Sequence, residues 1–279
     1  MRDGRINQIV TYTIYMIFIV ITFFVLYPLV YVVSGAFAPG TSMADVSVVP
    51  FQSGVTAEHF AFLFKETAYG RWFLNTLIIA VETSIATVII SALSAYVFSR
   101  FQFKFKKHFL MSLLILQIFP SFVGMIAIYV ILLRIGGWDT LWGLVLVYTA
   151  GNIPYNAWLV KNYMDTFSQS LDEAARIDGA SHLRVFFQII LPVTRPIIVF
   201  LAITSFTAPW MDFIFPRMVL SSEEHYTLAL GLFNFVTDKR NDFTVFAAGS
   251  LIVAIPFVVF FLITQKSLIS SFGGAVKGE

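Results

Sequence analysis

The chain has 279 residues, of which 58% are hydrophobic and 12% charged, and its mean hydropathy is +0.82. A water-soluble domain carries about 25% charged residues, so that class is excluded. The net charge of +2 names no partner. The absence of cysteine excludes disulfides, thiolate chemistry and cysteine-ligated metals.

In chain order, a polar start with Arg2 and Arg5 leads into an apolar run over 12–38. This run exceeds the roughly 20 residues that cross a hydrocarbon core. Ala36-Phe37-Ala38 mimics a leader-peptidase site, but a leader's apolar region spans only about 7–15 residues. The run therefore reads as a retained first span. Residues 39–71 are broken by Pro39, Gly40, Pro50 and Gly54. Within them Thr56 is expected to cap a short helix with Phe60, Leu63 and Phe64 on one side. That helix reads as lying at a membrane surface, or as docking a partner.

Five further apolar runs, over 72–98, 109–133, 141–161, 196–217 and 243–265, predict six spans in all. Twelve lysines and arginines fall in segments on the side of the N-terminus and six on the other. The excess of positive charge belongs inside, which places both termini in the cytoplasm. Arg100 to His108 alternates basic and aromatic residues. Directly after a span, that pattern reads as an anchor at anionic head groups rather than as a nucleic-acid site.

Polar groups inside spans are expensive and mark function or helix pairing. Glu82, in the second run, reads as lining a translocation path or as paired across helices. In the fourth, Asn152 and Asn156 stand one turn apart on one face, beside Gly151 and Pro154, which permit local unwinding. Gln117 and Pro120 in the third read the same way as the asparagines. In the fifth, Pro209 predicts a kink near Ser205, among Thr204, Phe206, Thr207, Trp210 and Asp212. These residues read either as path-lining, or as an interfacial aromatic (Trp210) and an ion pair of Asp212 with Arg217.

The densest charge in the second half is at 170–192, S-L-D-E-A-A-R-I-D-G-A-S-H-L-R-V-F-F-Q-I-I-L-P. Ser170 and Glu173 have capping-box spacing. Gly179 suits a left-handed helix end, Ser181 a second cap, and Pro192 a break. A short helix, a bend and a greasier helix form an elbow on the cytoplasmic side.

Glu173-Ala174-Ala175, Gly179 three residues later, then nine residues before Ile189-Ile190-Leu191-Pro192, resembles the E-A-A-x3-G-x9-I-x-L-P signature of binding-protein-dependent ABC importer permeases. Asn75-Thr76-Leu77, Tyr226 to Gly231 and the closing Gly274 to Gly278 resemble the maltose/maltodextrin (MalG-type) members. The resemblance runs from about residue 12 to the end. It implies an all-α, polytopic membrane protein, a single 1–279 permease domain of the type I importer fold in a bacterial cytoplasmic membrane. It implies that the cytoplasmic loop at about 163–194 couples to an ATPase through Glu173, Ala174, Ala175, Asp178, Gly179, Leu191 and Pro192. A tail containing Gly273, Gly274, Lys277 and Gly278 would reach between two ATPase copies. The other implied partners are a second permease, an extracytoplasmic solute-binding protein and the surrounding lipid. Glu82, Asn152, Asn156, Phe206, Trp210 and Asp212 would then meet an oligosaccharide, with aromatic faces on C–H surfaces and polar groups on hydroxyls.

No G-x-x-x-x-G-K-[ST] stretch, H-E-x-x-H or nucleophile elbow is present, and the four histidines do not cluster. ATP and Mg would therefore belong to a separate ATPase, with no cofactor, no metal and no catalytic residue in this chain. The competing class is an ion-coupled secondary transporter. Such proteins show inverted repeats or buried charge relays, and neither is visible here.

Overall fold

The computed structural model describes residues 2–118, 121–237 and 241–276, and within them every regular element is helical. Contacts group the chain into two compact units.

The first unit contains α1 (Arg2–Phe37), α2 (Glu58–Glu66) and the start of the last helix. Between α1 and α2, Ser42 and Asp45 close a reciprocal capping box on a single helical turn. α2 turns His59 and Leu63 inward, while Phe60 lies against Phe37 with ring centroids 5.1 Å apart. The expected cap at Thr56 is not formed: the cap residue is Ala57, without a side-chain bond, and the Thr56 hydroxyl accepts only from the Glu58 amide. Phe64 stays exposed. His59 Nε2 lies 2.8 Å from the Ala38 carbonyl, which ties α2 to the end of α1.

The second unit contains α3 (Tyr69–Arg100, entering at Gly70), α4 (Lys106–Ile118), α5 (Ser121–Ile135) and α6 (Leu141–Met164). α7 (Ser170–Ile177) and α8 (His182–Val193) follow, then α9 (Arg195–Met211), α10 (Ile214–Val219) and α11 (Leu228–Phe233). α12 (Phe243–Val276) begins in the first unit and ends in the second.

Two apolar clusters hold this second unit. One joins Ile79 of α3, Leu132 of α5 and Leu144 of α6 to Phe215 and Leu230. The other joins Ala92, Ala95 and Tyr96 of α3 to Val160 and Met164 of α6, Val185, Phe186 and Ile190 of α8, and Leu201 of α9. Between helices that cross lipid, such clusters hold by van der Waals packing rather than by exclusion of water.

α8 and α9 meet at 80°. Pro192 and Pro196 flank the bend and supply no amide donor. Thr194, fully buried between them, donates its hydroxyl to the Ile190 carbonyl at 2.7 Å and so satisfies the bent backbone. The break of this span is therefore here, and Pro209 lies near the end of an otherwise helical α9. α6 runs unbroken through Gly151 and Pro154, so the unwinding that these residues permit is not taken.

Among the described residues, length and composition qualify three helices as spans, Val10–Phe37, Tyr69–Arg100 and Phe243–Phe260, or five if α4 with α5 and α8 with α9 each count as one. The expected count of six is thus not reached on apolarity alone. The missing one is α6, whose 24 residues have the length to cross but include Asn152 and Asn156. Pro120, at the α4–α5 break, lies outside the described residues.

Candidate functional site

The elbow is built by α7, a glycine turn and α8. Ser170 and Glu173 do not form the expected capping box. The cap residue is Gln169, without a side-chain bond, and the Ser170 amide donates instead to the Ser168 hydroxyl at 3.2 Å. The far end of α7 matches expectation. Gly179 has φ +86, its amide donates to the Arg176 carbonyl at 3.0 Å, and the Ala180 amide donates to the Ala175 carbonyl at 3.0 Å. This pair of bonds is the Schellman arrangement, which needs a left-handed residue at that position. Ser181 then caps α8 through the Arg184 amide. α8 passes through a π-helical turn at Phe186–Ile190, which seats Phe186 and Ile190 in the inner cluster.

The faces of α7 are inverted. Its buried residue is an aspartate, Asp172, while Ile177 is 86% exposed and Leu171 is also exposed. Glu173, Ala174, Asp178 and Gly179 are exposed as well. On α8, Leu183 and Phe187 are bare, Pro192 is exposed and Leu191 packs partly on the inner cluster. A surface helix that buries charge and bares aliphatic carbon presents a face suited to being covered. Ile177 was not singled out from sequence, although its place one turn from Glu173 and beside Gly179 would have found it.

Arg100 and Asp172 were also missed as a pair. Arg100 Nε lies 3.0 Å from Asp172 Oδ2, with side chains 6% and 11% exposed. Arg100 is thus enclosed rather than an anchor at lipid head groups, whereas Lys104, Lys107 and His108 of the same basic segment are exposed. The pair borders a cavity of about 300 Å³ that also reaches Tyr96, Gln169, Arg176 and His182.

A second constellation lies between the two apolar clusters. On α3, Ile79, Thr83, Thr87, Ser91 and Ala95 recur every four residues and so share a face. Ile79 belongs to one cluster and Ala95 to the other. The hydroxyls of Thr83, Thr87 and Ser91 are buried without a partner among the described residues. α6 repeats the layout, with Leu144 and Val160 in the clusters and Thr149, Asn152 and Asn156 between them. Asn156 is buried, and Asn152 Nδ2 has no partner among the described residues. Ser205 of α9 adds one more such hydroxyl. The middle of the unit is therefore polar where its ends are apolar.

Asn152 also lines a cavity of about 580 Å³ with Tyr148, Asp212 and mostly apolar side chains of α5 and α6. Asp212 is fixed from both sides. Its Oδ2 accepts from the Tyr148 hydroxyl at 2.9 Å, and its Oδ1 accepts from the Ile214 and Phe215 amides at 2.9 and 3.2 Å. It holds the first two amides of α10, and makes no ion pair with Arg217 among the described residues. Trp210, only 3% exposed, meets Phe73, Phe206 and Phe257 at ring-centroid distances of 5.3, 6.0 and 5.7 Å. Phe206 also faces Phe260 at 4.7 Å. These two rings are packed into the wall, and their faces are not open within this chain. Glu82 is exposed, on the same face as Ile85 and Ile89, and makes no hydrogen bond or ion pair among the described residues. Gly273 and Gly274 continue the α12 backbone, while Lys277 and Gly278 lie outside the described residues.

The two short stretches quoted from the chain's middle meet in space. Asn75 Nδ2 donates to the Glu224 and Tyr226 carbonyls at 2.8 and 3.0 Å. Thr76 Oγ1 accepts from the Leu228 amide at 2.7 Å. A Cβ on Gly231 would lie 2.1 Å from the Trp72 ring, so this contact requires glycine.

Polar groups between apolar clusters on membrane-length helices define a multi-pass helical membrane protein with an exposed apolar elbow. Residues 87–267 match the family of binding-protein-dependent transport system inner membrane components, and the chain belongs to it. It is 38% identical to the maltodextrin transport system permease protein MdxG of Bacillus subtilis (strain 168), over 98% of this chain and 97% of that one. It is 40% identical to the galactooligosaccharides transport system permease protein GanQ of the same organism, over 91% of each. Its fold is similar to a chain in the crystal structure of a bacterial ABC transporter involved in the import of the acidic polysaccharide alginate. That likeness has a TM-score of 0.77 at 21% identity and covers 95% of this chain and 98% of that one.

Proposed function

We propose that this subunit translocates neutral oligosaccharides, linear maltodextrins first among them, in an importer powered by separate ATPase subunits. Two ATPase copies hold ATP and Mg and grip the elbow. A second permease completes the path, and an extracytoplasmic binding protein delivers the sugar. The termini and the elbow lie in the cytoplasm, in keeping with the lysine and arginine distribution. ATP-driven closure of the ATPases moves α7 and α8 and switches the path between inward-facing and outward-facing forms.

The observation that carries this reading is the inverted α7, with Asp172 inside and Ile177 bare beside the left-handed Gly179. A self-sufficient ion-coupled transporter has no use for such a face. The exposed Glu82 and the polar layer around Asn152 and Asn156 supply hydroxyl-binding groups, and Asp212, held by Tyr148 and two amides, borders the cavity. Phe206 and Trp210 support this wall from behind. The relatives' names divide between maltodextrin and galactooligosaccharides, two uncharged ligands rich in hydroxyls.

The test is capture of the ATPase by the tagged subunit from membranes. Ile177→Glu places a charge on the bare face and is expected to abolish capture while the subunit still inserts. Undiminished capture by Ile177→Glu would remove the elbow as the docking element.

A further inference from the structure

We propose that Arg100 is a positioning residue, a strut that passes movement of the gripped elbow to the cytoplasmic end of α3. This rests on the reading of the elbow as the ATPase-docking element.

Arg100 is the last residue of α3, and its guanidinium serves three neighbours at once. Nε faces Asp172 of α7 at 3.0 Å, Nη2 donates to the Phe167 carbonyl at 3.3 Å, and Nη1 donates to the Ser99 hydroxyl at 3.2 Å. Ser99 donates in turn to Asp165 Oδ1 at 2.6 Å, and Asp165 also pairs with Lys161 of α6. One connected set of charges thus ties the ends of α6 and α3 to the first turn of α7. A second link runs from the Tyr96 hydroxyl of α3 to the His182 carbonyl at the start of α8, at a longer 3.4 Å.

The pair is poorly designed for stability. Among the described residues neither Asp172 oxygen receives a hydrogen bond, and the Arg100 Nε contact at 3.0 Å is an ion pair without one. A buried ion pair whose carboxylate accepts no hydrogen bond seldom stabilises more than an apolar pair of the same volume, and its best-attested use is to fix register. Register is what this joint requires. Apolar contacts between α8 and α3, such as Phe186 on Tyr96 at 5.2 Å, tolerate sliding. Two enclosed opposite charges oppose separation, because each would be left bare in a low-dielectric setting. Asp172 adjoins Glu173 at the tip, so movement imposed on the exposed face of α7 reaches α3 through Arg100. α3 is the helix that carries Thr83, Thr87 and Ser91 into the polar layer and Glu82 on the opposite face.

The experiment uses the whole complex, with ATPase and binding protein, reconstituted in vesicles. Wild type, Arg100→Gln, Asp172→Asn and the exchanged pair Arg100→Asp with Asp172→Arg are compared. ATPase capture, ATP hydrolysis and maltodextrin uptake are measured for each. Arg100→Gln and Asp172→Asn are expected to capture the ATPase at wild-type levels and still hydrolyse ATP. Sugar taken up per ATP should fall about tenfold, within the range of coupling between linked sites. The exchanged pair should regain most of that ratio. An unchanged ratio in Arg100→Gln would overturn the strut while leaving the docking reading intact. Loss of ATPase capture in both single variants, not regained by the exchanged pair, would also overturn it and leave Arg100 a folding residue. Failure of the wild type itself to capture the ATPase would bring down the docking reading, and the strut with it.

Discussion

At the scale of single residues, Gly179 is the position where sequence and structure agree most closely, because few side chains other than glycine's absence of one suit φ +86. An added Cβ would meet nothing within 4 Å, so a substitution there strains the backbone without crowding the subunit's own interior. Gly179→Leu is therefore expected to insert normally, at a local cost of about 1–2 kcal/mol, and to lose ATPase capture and sugar uptake. Glu173→Ala, which removes an exposed charge from the first turn of α7, should weaken both more mildly. Membrane content beside capture and uptake separates these outcomes, and normal uptake by Gly179→Leu would contradict the role given to the elbow.

Asp139 provides a residue-scale prediction of a different kind. Burial acts to raise its pKa, but the Ser222 hydroxyl, the Ser221 and Ser222 amides and nearby His225 outweigh this and bring it down to about 2. A carboxylate lowered in the folded state adds stability above its ordinary value of 3.8, and that stability is lost as pH falls through about 2. The loop at 221–225 should loosen over that interval, read as faster amide hydrogen exchange at Ser221 and Ser222, whose amides donate to Asp139. Asp139→Asn should give the loosened state at neutral pH, and a loop unaffected by either change would count against the assignment.

The same scale shows what sequence could not reveal. The capping box failed because Ser168, two residues earlier, competes for the Ser170 amide with a closer turn. Asp172 reads in sequence as one more exposed acid in a charged loop. Its partner Arg100 is 72 positions away, and only the packing of α7 on α3 brings the two together.

At the scale of elements, the periodic runs were legible and their interruptions were not. A proline in an apolar run signals a possible break, but neighbouring structure decides which proline breaks the helix. Pro154 and Pro209 lie within helices, whereas Pro192 and Pro196 flank an 80° bend. The clasp between Trp72, Asn75, Thr76 and residues 223–231 was visible only as two separate resemblances. It offers a sharp test, because Gly231→Ala would force a Cβ to 2.1 Å from Trp72. Overpacking of this kind costs about 1–3 kcal/mol, so the variant should show a lower thermal midpoint in detergent. Shortening the ring with Trp72→Leu in the same chain should recover part of that loss. A Gly231→Ala subunit with wild-type stability would show the contact to be looser than described.

At the scale of the whole molecule, composition alone gave the class, and the elbow's spacing gave the family. The division of labour inside the membrane was less legible. Phe206 and Trp210 read as ligand-facing because aromatics suit sugars, yet their partners Phe73, Phe257 and Phe260 come from distant helices and enclose them. Glu82 reads the same from sequence whether inside or outside the unit, and it lies outside, where a second subunit or a watered path would meet it. The orientation is testable directly, since the chain contains no native cysteine. Cysteines at Ser53 and Asn241 should react with an impermeant thiol reagent in intact cells, and one at His182 should not. Labelling at His182 would reverse the topology.

The central claim is that this subunit imports an uncharged oligosaccharide by coupling to an ATPase. It is tested most directly by ATP hydrolysis in the reconstituted complex with its binding protein, with and without linear maltodextrins. The account predicts that hydrolysis rises when a maltodextrin is present and that this rise is absent in Gly179→Leu. Stimulation by galactooligosaccharides instead would keep the importer and change the sugar. Stimulation by a peptide or amino acid and by no sugar would contradict the account.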